Sequence, residues 1–119
     1  MEKTIVIDGK PIRFKSTAAT PIRYKAQFKK DFFAEIMKMG AIEKLGNLNK
    51  QDKIRLEDLD RLDFDVFYNI AWVMAKTADP SIPDPMSWLD QFESFPMIEI
   101  IPELMDLIMA NFHTETKKK

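Results

Sequence analysis

The sequence predicts an α+β domain in which an amino-terminal β-hairpin packs on a bundle of about four α-helices. Three observations predict it. An Asp8-Gly9 pair separates two short runs of β-branched and alternating character, and those two residue types accept the positive φ that a type I′ hairpin turn needs. Thr20-Pro21 and Asp84-Pro85 each set a capping residue before a proline, whose missing N–H costs nothing at the first helical position. Elsewhere, apolar residues recur every three or four positions, the spacing of a helix with one buried face. The 119 residues suit one domain, expected over 1–116, with 117–119 as a basic tail.

The hairpin is expected at about 4–15, with Ile12 and Phe14 two apart on one face. A lone hairpin is marginal in water, so that face must lie on the rest of the fold. The first helix is expected over about 21–39, stopped by Gly40,. Ile22, Ala26, Phe33 and Met37 fall on one row and Phe28, Phe32, Ile36 and Met39 on the next. Together they predict a wide buried side opposite Arg23, Gln27, Lys30, Asp31 and Lys38. Residues 40–60, punctuated by Gly46, Asn47 and Asn49, read as an irregular connection holding one helical turn.

A second helix, over about 63–77 and capped by Asp63, carries Val66, Phe67, Ile70, Val73 and Met74 into the centre of the core,. Three prolines, Pro80, Pro83 and Pro85, within the eight residues from Ala78 to Pro85 make a stiff loop,. A short helix follows over about 85–93. The last helix, over about 97–112, is opened by Ser94 and Pro96, and Pro102 should bend it or break it after its first turn,. Of its 16 residues from Met97 to Phe112, 11 are apolar, more than a small domain ordinarily buries. It is either the core helix or a helix that presents Leu104, Met105, Ile108 and Met109 to another chain, methionine being an adaptable contact residue.

Composition removes several classes of chemistry. There is no cysteine, hence no disulfide, thiolate nucleophile or cysteine-based metal site. The single histidine, His113, excludes multi-histidine metal sites and reads as an ordinary surface residue after the last helix. Gly9, Gly40 and Gly46 are the only glycines, and they form no phosphate-cradling loop. Asp58-x-Asp60-x-x-Asp63-x-Asp65 lacks the glycine and the closing glutamate of a calcium loop, so it reads as an acidic capping segment. Asp79 and Asp84 flank the proline loop as the one conceivable carboxylate pair, although Asp84 is better explained as a cap,. No catalytic, cofactor-binding or metal-binding residue is expected, and no cofactor.

Charge is balanced in total, with 18 basic and 19 acidic residues, but not along the chain. Residues 1–30 hold eight basic groups against Glu2 and Asp8, whereas residues 31–116 hold 7 basic and 17 acidic groups. This asymmetry favours head-to-tail attraction between copies, so a homo-oligomer is expected. Lys10, Arg13, Lys15, Arg23, Lys25, Lys29 and Lys30 make a basic third with Tyr24 available for stacking. It reads as a solvated face, as a protein contact centred on Arg23, Lys25, Lys29 and Lys30, or as the nucleic-acid surface of a regulatory protein. No nucleic-acid module accompanies the last of these. The sequence shows no basic leader before an apolar stretch and no window of ~18 uncharged apolar residues, so an intracellular protein with no membrane partner is expected,.

Three stretches carry a resemblance. They are Ile7-Asp8-Gly9-Lys10 with Ala19-Thr20-Pro21-Ile22-Arg23-Tyr24 and Phe28-Lys29-Lys30-Asp31-Phe32, then Ala71-Trp72-Val73-Met74-Ala75-Lys76-Thr77-Ala78-Asp79-Pro80 with Trp88-Leu89-Asp90-Gln91-Phe92, and last Ile100-Ile101-Pro102-Glu103-Leu104. In this order and spacing the chain, over roughly residues 5–112, resembles the tail assembly chaperones of long-tailed phages and prophages of Gram-positive hosts. The resemblance implies a non-enzymatic protein of the host cytoplasm. Such a protein keeps the tape measure protein soluble, helps bring tail tube subunits to it, and is absent from the finished particle. It also implies a longer form made by programmed frameshifting, for which the codons of Lys117-Lys118-Lys119 would supply the slippery run.

Overall fold

A computed structural model describes residues 1–38 and 63–111. The expected connection at 40–60, the stop at Gly40, Met39, Asp58, Asp60, His113 and Lys117 to Lys119 lie outside the described residues. The fold is α+β, a two-stranded antiparallel hairpin with five helices among the described residues. In chain order these are β1 (Glu2–Ile7), β2 (Lys10–Lys15), α1 (Thr20–Phe28), α2 (Phe32–Lys38), α3 (Phe64–Ala78), α4 (Pro85–Leu89) and α5 (Met97–Met109).

The hairpin forms where the turn chemistry places it. Asp8 and Gly9 sit at φ 56 and 74, the left-handed pair that matches the twist of the strands. Register runs from Ile7↔Lys10 through Ile5↔Ile12 to Lys3↔Phe14. Ile7 and Phe14 are buried, and Ile5 and Ile12 pack behind them. The hairpin is tied down far along the chain. Asp8 Oδ2 accepts from Glu93 N–H at 3.0 Å, and Lys10 Nζ donates to the Gln91 carbonyl at 2.8 Å. Lys10 also lies over the Phe92 ring, inside an aromatic cluster in which Trp88 meets Phe14, Phe92 and Phe95 edge-on.

Helix α3 is the core element. Asp63 caps it by accepting from Asp65 N–H at 3.1 Å, and it buries Val66, Phe67, Ile70, Val73 and Met74. Trp72 Nε1 donates to the Pro83 carbonyl at 2.7 Å, and Lys76 Nζ donates to the Ile82 carbonyl. One turn apart on α3, these two side chains hold the proline loop. Asp84 caps α4 by accepting from Ser87 N–H at 3.2 Å, but α4 ends at Leu89 rather than near residue 93.

Three expectations are corrected. The helix expected over 21–39 is two helices. Lys29 adopts the left-handed conformation at φ 62 and closes α1, its N–H donating to the Lys25 carbonyl at 2.8 Å. Asp31 then starts α2 afresh by accepting from Ala34 N–H at 2.8 Å, a local bond that competes with continuing the helix. Thr20 lies inside α1 and is buried. It acts one turn early, its Oγ1 accepting from Thr17 N–H at 2.9 Å. Finally, α5 runs through Pro102 as one element, so the alternative of a break after its first turn falls, and Ser94 makes no cap. Pro96 occupies that position without a side-chain bond. The carbonyl freed by Pro102 belongs to Ile98, which is exposed enough for water to take the lost donor's place,.

Candidate functional site

The basic face is built by α1 and by the turn that follows it. Helix α1 buries only Thr20 and Tyr24, with Phe28 half-buried. Its Tyr24 ring packs between Phe28 and Phe32, and Phe28 stands edge-on to Trp72 at 5.9 Å. These contacts orient α1, and they decide which side is left outside. Ile22 is 72% exposed, Met37 on α2 is 62% exposed, and Ala26 is exposed as well. The row Ile22, Ala26 and Met37, expected to be buried, faces solvent, while Phe32 and Ile36 of the other row are buried and Phe33 is half-buried.

Arg23, Lys25, Lys29 and Lys30 are all exposed. Lys29 Nζ donates to the Ala26 carbonyl at 2.9 Å and so covers the end of α1,. Between α1 and α3 lies a shallow groove of about 260 Å³ lined by Arg23, Ala26 and Gln27 on one side and Trp72, Val73, Lys76 and Thr77 on the other. Its floor is an aromatic ring and a valine, and its two charges, Arg23 and Lys76, are both positive. Such a surface suits an apolar, acidic segment of another protein.

Of the remaining basic residues of the amino-terminal third, Lys3, Lys10 and Arg13 serve the fold, and Lys15 is exposed. Lys3 Nζ pairs with Glu103 Oε1 at 2.5 Å and Asp106 Oδ2 at 2.9 Å. Arg13 reaches Glu2 at 3.2 Å and caps α3 by donating to the Ala78 carbonyl at 2.9 Å. Tyr24 is not available for stacking, because it is 1% exposed. Its hydroxyl lies near the Asn69 side chain but in no well-formed hydrogen bond. Burial pushes its pKa up to about 12. The Asn69 amide offsets part of that, and the charges of Glu35 and Asp63 add to it.

Compared with protein-family models, curated proteins and solved structures, the chain matches none.

The second candidate contact does not survive burial. Leu104 and Ile108 are wholly buried and Met105 nearly so, in the core formed with α3 and the hairpin, and Met109 is half-buried against it. Only Ile98 of α5 stands out among its large apolar residues. Asp79 and Asp84 are each occupied locally. Asp79 accepts from Ser81 N–H and Oγ, and Asp84 accepts from Ser87 N–H. The serine bonds hold both carboxyls below the usual carboxylate range, which suits caps and not proton donors. Among the described residues no group of His, Asp and Glu is placed to hold a metal ion, and no helix is long and apolar enough to cross a membrane.

Sequence reasoning missed the left-handed Lys29 and the new cap at Asp31. Lysine gives no hint of φ above zero, a conformation usually left to glycine or asparagine. Asp31 before Phe32-Phe33-Ala34 did carry the signal of a cap,.

Proposed function

We propose that this chain is a non-enzymatic assembly chaperone of phage tail morphogenesis. It acts as an oligomer in the host cytoplasm, keeps the tape measure protein soluble, helps recruit tail tube subunits, and leaves before the particle is complete. The order and spacing of Ala19-Thr20-Pro21 and of Met74-Ala75-Lys76 with Ala78-Asp79-Pro80 support the family reading. The observation that supports the role most is the exposed Ile22 and Ala26, one turn apart on α1, with Arg23 and Lys25 beside them and the groove at their side. A chaperone must hold apolar client surface without burying it for good. A few exposed apolar residues within a charged rim do that, since the charges set rate and register more than affinity.

Co-expression with tape measure and tail tube proteins, followed by capture on this chain, tests the reading. The wild-type chain is expected to retain the tape measure protein in the soluble fraction. Ile22→Asp and Arg23→Glu are expected to lose it while the circular dichroism spectrum and melting temperature stay unchanged. Capture of neither client, or capture indifferent to both substitutions, would overturn it. Salt-sensitive binding of DNA or RNA instead would favour the regulatory reading, which has lost Tyr24 as its stacking group.

A further inference from the structure

The hairpin has one guarded edge and one open one. In an antiparallel pair closed by a two-residue turn, Ile7↔Lys10, Ile5↔Ile12 and Lys3↔Phe14 exchange the ladder hydrogen bonds,. The residues between them, Thr4 and Val6, therefore turn their N–H and C=O groups away from β2. On the β2 side, the position opposite Val6 is Pro11, which has no N–H to offer,. On the β1 side there is no such guard. Among the described residues no backbone hydrogen bond reaches Thr4 or Val6 from outside the hairpin, and Val6 is 67% exposed.

Along this open edge runs a groove of about 330 Å³, bordered by Thr4, Ile5 and Val6 of β1 and by Glu99, Ile100 and Glu103 of α5. Its apolar floor is Ile5 and Ile100. Its wall carries the carboxylate of Glu99, and beside it Glu103 and Asp106 hold Lys3.

We propose that the β1 edge takes up an extended, basic segment of a partner protein as a third antiparallel strand, with lysine or arginine at alternate positions and one of them directed to Glu99. Thr4 and Val6 supply the backbone bonds, which are indifferent to sequence, and the groove supplies the selection. A lysine or arginine stem lies over Ile5 and Ile100 while its cationic head reaches Glu99. A second copy of this chain fits poorly. Its own β1 offers one lysine, Lys3, which Glu103 and Asp106 already hold, and its Ile7 is buried in its own core. The site is separate from the basic face on α1 and does not depend on the assembly reading.

The probe is an eight-residue peptide of alternating lysine and valine, acetylated and amidated at its ends, titrated against the full chain by amide chemical shift. Saturable shifts are expected at Thr4, Val6 and Glu99, and Glu99→Lys is expected to weaken binding about tenfold, the size of one charge-assisted contact. In the proposed register the valines lie opposite Thr4 and Val6. Methylating the valine nitrogens should then abolish binding, whereas methylating the lysine nitrogens should leave it intact. That comparison leaves the protein itself untouched. Val6→Pro removes an edge donor without removing a ladder bond, and is expected to weaken the peptide about tenfold as well. Three results would each overturn the proposal: no shifts at millimolar peptide, binding that survives valine methylation, or an edge occupied by a second copy in a Val6-dependent dimer.

Discussion

Helix α5 and the pair α1–α2 make opposite use of their apolar residues. Helix α5, the more apolar, is buried along most of its length between α3 and the hairpin, and keeps Glu99, Glu103 and Asp106 as its polar stripe. The α1–α2 pair carries apolar rows of its own, yet leaves Ile22, Ala26 and Met37 in solvent. The difference lies in the partners available. Helix α5 turns one apolar side to the hairpin and another to α3, whereas α1 buries Thr20 and Tyr24, half-buries Phe28, and leaves its Ile22 and Ala26 side outside. A count of apolar residues measures how much a helix has to bury. How much it does bury depends on the number of elements beside it.

The strongest way to break the comparison is to charge one residue of each region. Leu104→Asp places an unpaired carboxylate at a fully buried position and should cost more than about 4 kcal/mol, enough to unfold the chain. Ile22→Asp should stay within about 0.5 kcal/mol of wild type in denaturant melts. If Leu104→Asp stays folded and only dissociates, or if Ile22→Asp unfolds the chain, the two helices have been assigned the wrong way round.

The next effect belongs to Tyr24, the large side chain that α1 buries. Its folded pKa is raised to about 12 from 10.0, so folding favours the protonated phenol. The associated stability is fully present below pH 10 and is lost as pH rises from 10 through 12. A shift of two units corresponds to about 2–3 kcal/mol. Chemical denaturation of wild type and Tyr24→Phe across that range should show the wild type falling more steeply. Equal slopes would mean that Tyr24 is more open to water than α1 requires.

The smallest effect sharpens the junction between α1 and α2. Asp31→Ala removes the cap on Ala34 N–H and should cost about 1 kcal/mol. Lys29→Gly relieves a left-handed lysine and should recover a similar amount. An unchanged melting curve for Asp31→Ala would mean that α2 is held by Phe32 and Ile36 alone.

The hairpin, α3 and the start of α4 were legible because their signals are local. Asp8-Gly9 dictates a turn, and Asp63 and Asp84 each bond a nearby N–H of their own helix. The break at Lys29 was not legible, since it settles a competition between Asp31 and helix continuation that only packing around Tyr24 and Phe32 decides. The basic residues of the candidate site were readable as charge. Their sorting was not, because whether Lys3 and Arg13 face solvent depends on Glu103, Asp106 and Ala78, far away in sequence. The exposure of Ile22 beside Arg23 follows from the same long-range geometry.

The bond from Asp8 to Glu93 spans 85 residues of chain, and it sets an order of events at the ribosome. The hairpin closes in microseconds once its residues emerge. Its apolar side, Ile7 and Phe14, has no Trp88 to meet until that residue has been made. At about 5–20 residues per second, synthesis from Asp8 to Glu93 takes roughly 4–17 s. For that interval the hairpin lacks its tie to Glu93 and its Trp88 contact, and it has α3 to pack on only once residues 64–78 have been made. Chain topology therefore sets a window of vulnerability to strand-pairing partners that the finished fold no longer has on that apolar side.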